Sequence, residues 1–194
     1  PNIIFPALNP IEFYLYSALK NLDNIKSLEP VVGLENSKIN NLLLEEFQFA
    51  IFSVSALEAF INQTIPADFE YKDKDGVTTK KKIEKSWSLE DKIKKVIPKI
   101  LGISIASDAQ KWAILMTLIN LRNDIIHLKT AYPVLSDFKS YQDLYRRLLD
   151  NDHQKSFEVV QEIIRTIATA DAKIWEGEKQ KADAGGKHYT WQEI

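Results

Sequence analysis

Arg122 and His127, separated by four residues, are the side chains in this sequence best suited to chemistry. A neutral imidazole can take a proton from a ribose 2′-hydroxyl, and an imidazolium can give one to a leaving 5′-oxygen. A guanidinium holds phosphate through paired N–H donors and offsets charge that gathers on a phosphorane. Asn123, directly after the arginine and one turn before the histidine, can fix the imidazole or touch phosphate. On an α-helix, a five-residue step sets Arg122 and His127 about 140° apart around the axis and roughly 7.5 Å apart along it. Arginine has the reach to bend toward a polar line on that helix; a shorter side chain does not. This chemistry needs no metal, and none is easily built here, since cysteine is absent and histidine occurs three times. The same two residues would also suit a purely structural role, satisfied by carboxylates and backbone at the margin of a core helix.

The surrounding pattern decides how they are presented. Ile114, Leu118, Leu121, Ile125 and Leu128 recur on one helical face, widened by Trp112, Leu115, Ile119 and Ile126. Against them runs a polar line of Asn120, Asn123, Asp124 and His127 at i, i+3, i+4 and i+7. An earlier helix carries a second polar line, Ser55, Glu58 and Asn62, between two apolar faces. A carboxylate in that setting must be paired or exposed. Glu58 with Arg122 is the natural pair if the two helices pack together. Such a pair either positions the guanidinium for work or is a plain structural ion pair.

The segment Arg122-Asn123-Asp124-Ile125-Ile126-His127 resembles the R-x4-6-H signature of the HEPN superfamily (higher eukaryotes and prokaryotes nucleotide-binding), including the polar residue after the arginine. The stretch Ser55–Asn62, with its Glu58, is similar to the earlier helix of many such proteins, and the order of long helix, insert and motif helix is similar as well. As architecture, the resemblance covers residues 37–175. It implies a helical homodimer in which both copies of Arg122 and His127 line one cleft. It further implies a metal-independent endoribonuclease that leaves a 2′,3′-cyclic phosphate, of toxin or anti-phage type, and a nucleotidyltransferase-type antitoxin as a partner. Under it, His127 transfers protons, Arg122 clamps phosphate, Asn123 orients and Glu58 positions the arginine. Some members with similar bundles only bind or scaffold. The alternative is therefore a non-catalytic module that dimerises or binds a nucleotide or partner, with Arg122 permanently paired to Glu58.

The elements that must hold these residues read as helices nearly throughout. Asn9-Pro10 marks a cap and a first helical residue, opening a helix to Leu28 with Ile11, Leu15, Leu19 and Leu22 on one face. A central helix, apolar on two faces, runs from Ser37 to Ile65. Residues 67–87 interrupt the pattern, and Asp75-Gly76 predicts a small hairpin or loop. Ser88-Leu89-Glu90-Asp91 fits a capping box for a third helix that stops at Gly102, with Pro98 marking a kink or an early end. The motif helix starts after a Ser107-Asp108-Ala109-Gln110 cap and runs to Lys129. A fifth helix spans Asp137–Leu149 after Ser136 as cap, and a sixth spans His153–Trp175, ending at Gly177. The prediction is an all-α, single-domain bundle of five to six helices over residues 1–177, with a polar C-terminal tail over 178–194. His153 reads as a cap or surface residue. His188 lies in the tail. Tyr141, Tyr145, Arg146 and Arg147 fit either an RNA-facing surface or an ordinary half-exposed helix.

Composition bounds the remainder. The chain has 194 residues, 45% hydrophobic and 27% charged, which is the balance of a globular protein rather than a disordered one. No apolar run approaches the roughly 20 residues that span a bilayer, and no secretory signal is visible, so a cytoplasmic location is the default. The sequence opens on Pro1 rather than Met, as a trimmed chain would. Net charge is 25 − 27 = −2, which gives no overall nucleic-acid signal. Between Lys72 and Lys99, however, ten lysines face five acids, a local net of +5. A solvated face and a phosphate-facing edge both fit that run, in which Lys80, Lys81 and Lys82 are the candidate RNA contacts.

Overall fold

A computed structural model describes residues 9–28, 36–74, 76–127 and 135–183. Helix α1 (Pro10–Leu28) starts where Asn9 Oδ1 accepts the Ile11 N–H at 3.0 Å. It packs along α2 (Asn36–Thr64), burying Ala18, Leu22 and Ile25. Leu19, expected on that face, is 43% exposed, and Ala18 takes the buried place instead. Helix α2 is the centre of the molecule, since it also meets the motif helix and the two C-terminal helices. Phe49, Val54, Leu57 and Ile61 all lie in the main core, which bears out a helix apolar on more than one side.

The insert is a two-stranded antiparallel hairpin, β1 (Glu70–Asp73) and β2 (Gly76–Thr79), in register Glu70 opposite Thr79 and Asp73 opposite Gly76. Gly76 has φ +124°, a conformation that side chains disfavour. The hairpin does not fill the whole insert. A short helix, α3 (Lys80–Ser86), follows it and buries Ile83 with Ile65 and Val96 in a satellite core under Phe69, Tyr71 and Trp87.

The third helix of the sequence reading runs through α4 (Leu89–Asp91), a π-helical turn (Lys92–Val96) and α5 (Ile97–Leu101) without an early end. Ser88 Oγ accepts the Asp91 N–H at 3.0 Å, as the capping pattern predicts, and the Ser88 hydroxyl donates to the Asp91 carboxylate at 2.9 Å. The wider turn brings Pro98 into the first turn of α5, where its missing donor costs least. Gly102 closes the helix in the left-handed conformation, φ +68°, with its N–H on the Pro98 carbonyl.

The motif helix α6 (Ala109–Ile126) follows a 3₁₀ turn at Ile105–Ser107. Asp108 alone serves as its cap, accepting the Lys111 N–H at 3.1 Å; that bond holds the Asp108 carboxyl below its ordinary pKa. Helix α7 (Leu135–Leu149) starts ahead of Ser136, so Ser136 is not its cap. Helix α8 (His153–Asp183) continues past Gly177 rather than ending there. One glycine costs a helix about 1 kcal/mol, too little to stop a long one. Trp175 is part of α8, while His188, Tyr189 and Trp191 lie outside the described residues. Among the described residues, no helix is long and apolar enough to cross a membrane.

Candidate functional site

Helices α2 and α6 pack together, and this brings Glu58 and Arg122 into contact. Arg122 Nη2 donates to Glu58 Oε2 at 3.0 Å. The two apolar faces of α2 leave Glu58 on the line between them, and Leu118 and Leu121 anchor α6 so that the arginine turns inward. The Arg122 side chain is 18% exposed and Glu58 is 30% exposed, so the pair lies at the edge of the core and water reaches it. Arg122 Nε is buried without an acceptor, which leaves the guanidinium pinned through one nitrogen.

A third residue completes the cluster. Lys92 is fully buried, and its Nζ lies 2.9 Å from Glu58 Oε1 and 3.2 Å from the Glu84 carbonyl. One carboxylate therefore serves two cations, one per oxygen. A buried ammonium is tolerable only when paired and hydrogen-bonded, and Glu58 supplies the pairing. The sequence reading missed Lys92, although a signal was present. Leu89, Lys92, Ile93, Val96 and Ile97 stand at i, i+3, i+4, i+7 and i+8, so the lysine interrupts an apolar stripe. Among ten lysines in a basic run, that position is the one distinguishing mark.

His127 sits elsewhere on the helix. It is the C-cap residue of α6, exposed, with its backbone N–H on the Asn123 carbonyl at 2.9 Å. The helix ends here rather than at Lys129, and Leu128 and Lys129 lie outside the described residues. Within one copy, the guanidinium faces α2 while the imidazole faces solvent. Asn120 and Asp124 are also exposed and Asn123 is half-buried, so the polar line runs along the open side of α6. Asp124 is engaged by Arg147 Nη2 at 2.6 Å, which ties α7 to the motif. Tyr145 packs its ring against Phe47, 6.1 Å between centroids. Ile126, expected to widen the buried face, is instead 54% exposed beside His127.

The basic run divides by role. Lys80 Nζ donates to the Ile65 carbonyl at 2.5 Å and lies 3.5 Å from Glu84, so it holds the hairpin and α3 to the end of α2. Lys81 and Lys82 are exposed on α3. Among the described residues, no group of three or more His, Asp or Glu side chains is placed to hold a metal ion.

His153 is a correction to the sequence reading. It opens α8 and is buried, 3.9 Å from the equally buried Glu46 of α2 and edge-on to the Phe49 ring. The cap at this end is Asp152, which accepts the Lys155 N–H at 2.9 Å. Burial pushes the His153 imidazole down to about 4, and the Asp152 carboxylate opposes that only in part.

Compared with protein-family models, curated proteins and solved structures, the chain matches none.

Proposed function

We propose that this chain is a metal-independent endoribonuclease of the HEPN type, acting through 2′-hydroxyl attack. The observation that carries the reading is the Glu58–Arg122 contact: a water-reachable guanidinium held through one nitrogen, five residues ahead of an exposed histidine on the same helix. An arginine fixed in this way meets a phosphate with little further loss of side-chain freedom. His127 takes the 2′-hydroxyl proton and returns one to the 5′-oxygen, Arg122 holds the phosphate, and Asn123 orients the imidazole. Glu58 is the positioning residue. Because Arg122 and His127 face apart within one copy, the reading calls for a homodimer in which two motif helices share a cleft. The exposed Ile126 beside His127 offers apolar contact at that place. A toxin or anti-phage role, with a nucleotidyltransferase-type antitoxin as partner, belongs to the same proposal.

The test is cleavage of single-stranded RNA by purified parent, His127→Ala and Arg122→Ala chains in the presence of a chelator. The expected result is cleavage by the parent that leaves 2′,3′-cyclic phosphate ends, with loss of at least about a hundredfold in either variant. Equal degradation by parent and variants would end the proposal. The second reading is a non-catalytic dimerisation or nucleotide-binding module. Lys92 favours it, because a Glu58 already clamped between two cations is also what a purely structural cluster needs.

A further inference from the structure

Three lysines on the helix that follows Trp87 lie against aromatic rings. Lys94 Nζ stands 4.8 Å from the Trp112 ring centre, Lys95 Nζ 5.6 Å from Trp87, and Lys99 Nζ 3.7 Å from Tyr71. The rings are half-buried and come from three different elements: the hairpin, the segment after α3, and the start of α6. Tyr71 and Trp87 meet edge to face, 4.9 Å between centroids, over the satellite core, so their planes are fixed. The lysines are exposed, and the stretch from Lys94 to Lys99 covers roughly 7.5 Å of helix axis. Lys92, on the same helix, turns the other way and is fully buried.

Lys94 and Trp112 lie on the other flank of the helix, against the main core, so we infer that the patch of Tyr71, Trp87, Lys95 and Lys99 binds a single-stranded polynucleotide, with bases stacking on the two rings and the lysines released onto its phosphates. The energetics favour the exchange. An exposed ammonium over a ring is a weak contact, and a base stacked on the same ring is a stronger one. Lys95 also pairs with Asp91, but this is a solvent-exposed i,i+4 pair and yields readily to phosphate. Lys99 is bonded to the Lys72 carbonyl at 2.8 Å, which sets the hairpin beside the helix and extends the basic surface. A duplex hides its base faces and cannot use the rings, so the surface selects single strands. The inference deepens the ribonuclease reading and rests on it for the strand being RNA.

The probe is a 2′-O-methyl oligouridine of about twelve nucleotides, a length that such surfaces span. It has no free 2′-hydroxyl, so binding is measured whether or not the chain cleaves RNA. The expected result is quenched tryptophan fluorescence on binding, and affinity that falls steeply with salt. In the full chain carrying Lys95→Gln and Lys99→Gln, the slope of log affinity against log salt should shrink by about 1.4, near 0.7 per lost phosphate contact. Trp87→Phe should bind like the parent, and Trp87→Leu about tenfold or more weaker. Absence of binding at low salt, an unchanged slope in the double variant, or tighter binding of a duplex of the same length would each overturn it. Binding without cleavage of ordinary RNA would sustain this surface and defeat the enzyme.

Discussion

Glu58 accepts from Arg122 and Lys92 at once, and the three members of that cluster are not equivalent. Replacing Glu58 with Ala leaves a fully buried ammonium and a largely buried guanidinium without a counter-charge, a loss of about 3–5 kcal/mol in folding stability. Lys92→Met removes a buried charge, keeps the volume, and leaves Glu58 with Arg122 and water, so it should cost about 1 kcal/mol or less. Combining the two should recover part of the Glu58→Ala loss, because the stranded ammonium is gone. Urea melts of the four chains check this, and strictly additive changes would mean that Lys92 and Glu58 are not coupled. The Glu58–Arg122 contact was legible in the sequence, because a carboxylate between two apolar faces requires a partner and the motif helix offered an arginine. The direction of His127 was not. Its exposure follows from where α6 stops, and the apolar pattern alone predicted a helix reaching Lys129. His153 was misread for a related reason: the first residue of a helix looks like a cap, and its burial comes from α2, more than a hundred residues earlier in the chain.

At the scale of elements, caps and breakers told more than composition did. Asn9, Ser88 and Gly102 each end or begin a helix where their chemistry predicts. The short α3 escaped because Lys80–Ser86 contains one apolar residue, Ile83, and a period cannot be read from one point. The π-helical turn was legible only as the kink that Pro98 marks, since no side-chain period announces one wide turn inside a helix. Two substitutions probe these ends. Asp108→Ala removes the side-chain cap of the motif helix and should lower stability by about 1 kcal/mol, against a few tenths for Asp108→Gly. Gly102→Ala meets no neighbour within 4 Å, yet must hold φ +68°, so it should cost about 1 kcal/mol through backbone strain alone. Thermal unfolding of both variants decides the matter, and an unchanged midpoint for Gly102→Ala would show that the turn relaxes.

For the whole molecule, the all-α bundle follows from periodicity and its small hairpin from the Asp75-Gly76 turn signal, and the packing of α2 against α1, α6, α7 and α8 accounts for why its pattern was apolar on two sides. The burial of His153 where α8 packs on α2 gives the fold a pH response. In the unfolded chain an imidazole gains its proton as pH falls through about 6.5. In the fold, His153 does so only near 4. Between those values the unfolded state binds more protons, so stability falls as pH drops from 6.5 to 4 and is level below. The part due to this residue is about 3 kcal/mol. Urea titrations at several pH values should show the decline in the parent and lose most of it in His153→Leu; an unaltered decline would assign it to another group.

The second helix also determines how the molecule comes apart. Its Phe49, Val54, Leu57 and Ile61 amides sit where every neighbouring helix converges, so none can open without releasing the others. In deuterated water, those hydrogens should be the last to be replaced, at a rate tied to global unfolding, while the hairpin exchanges early through its own local opening.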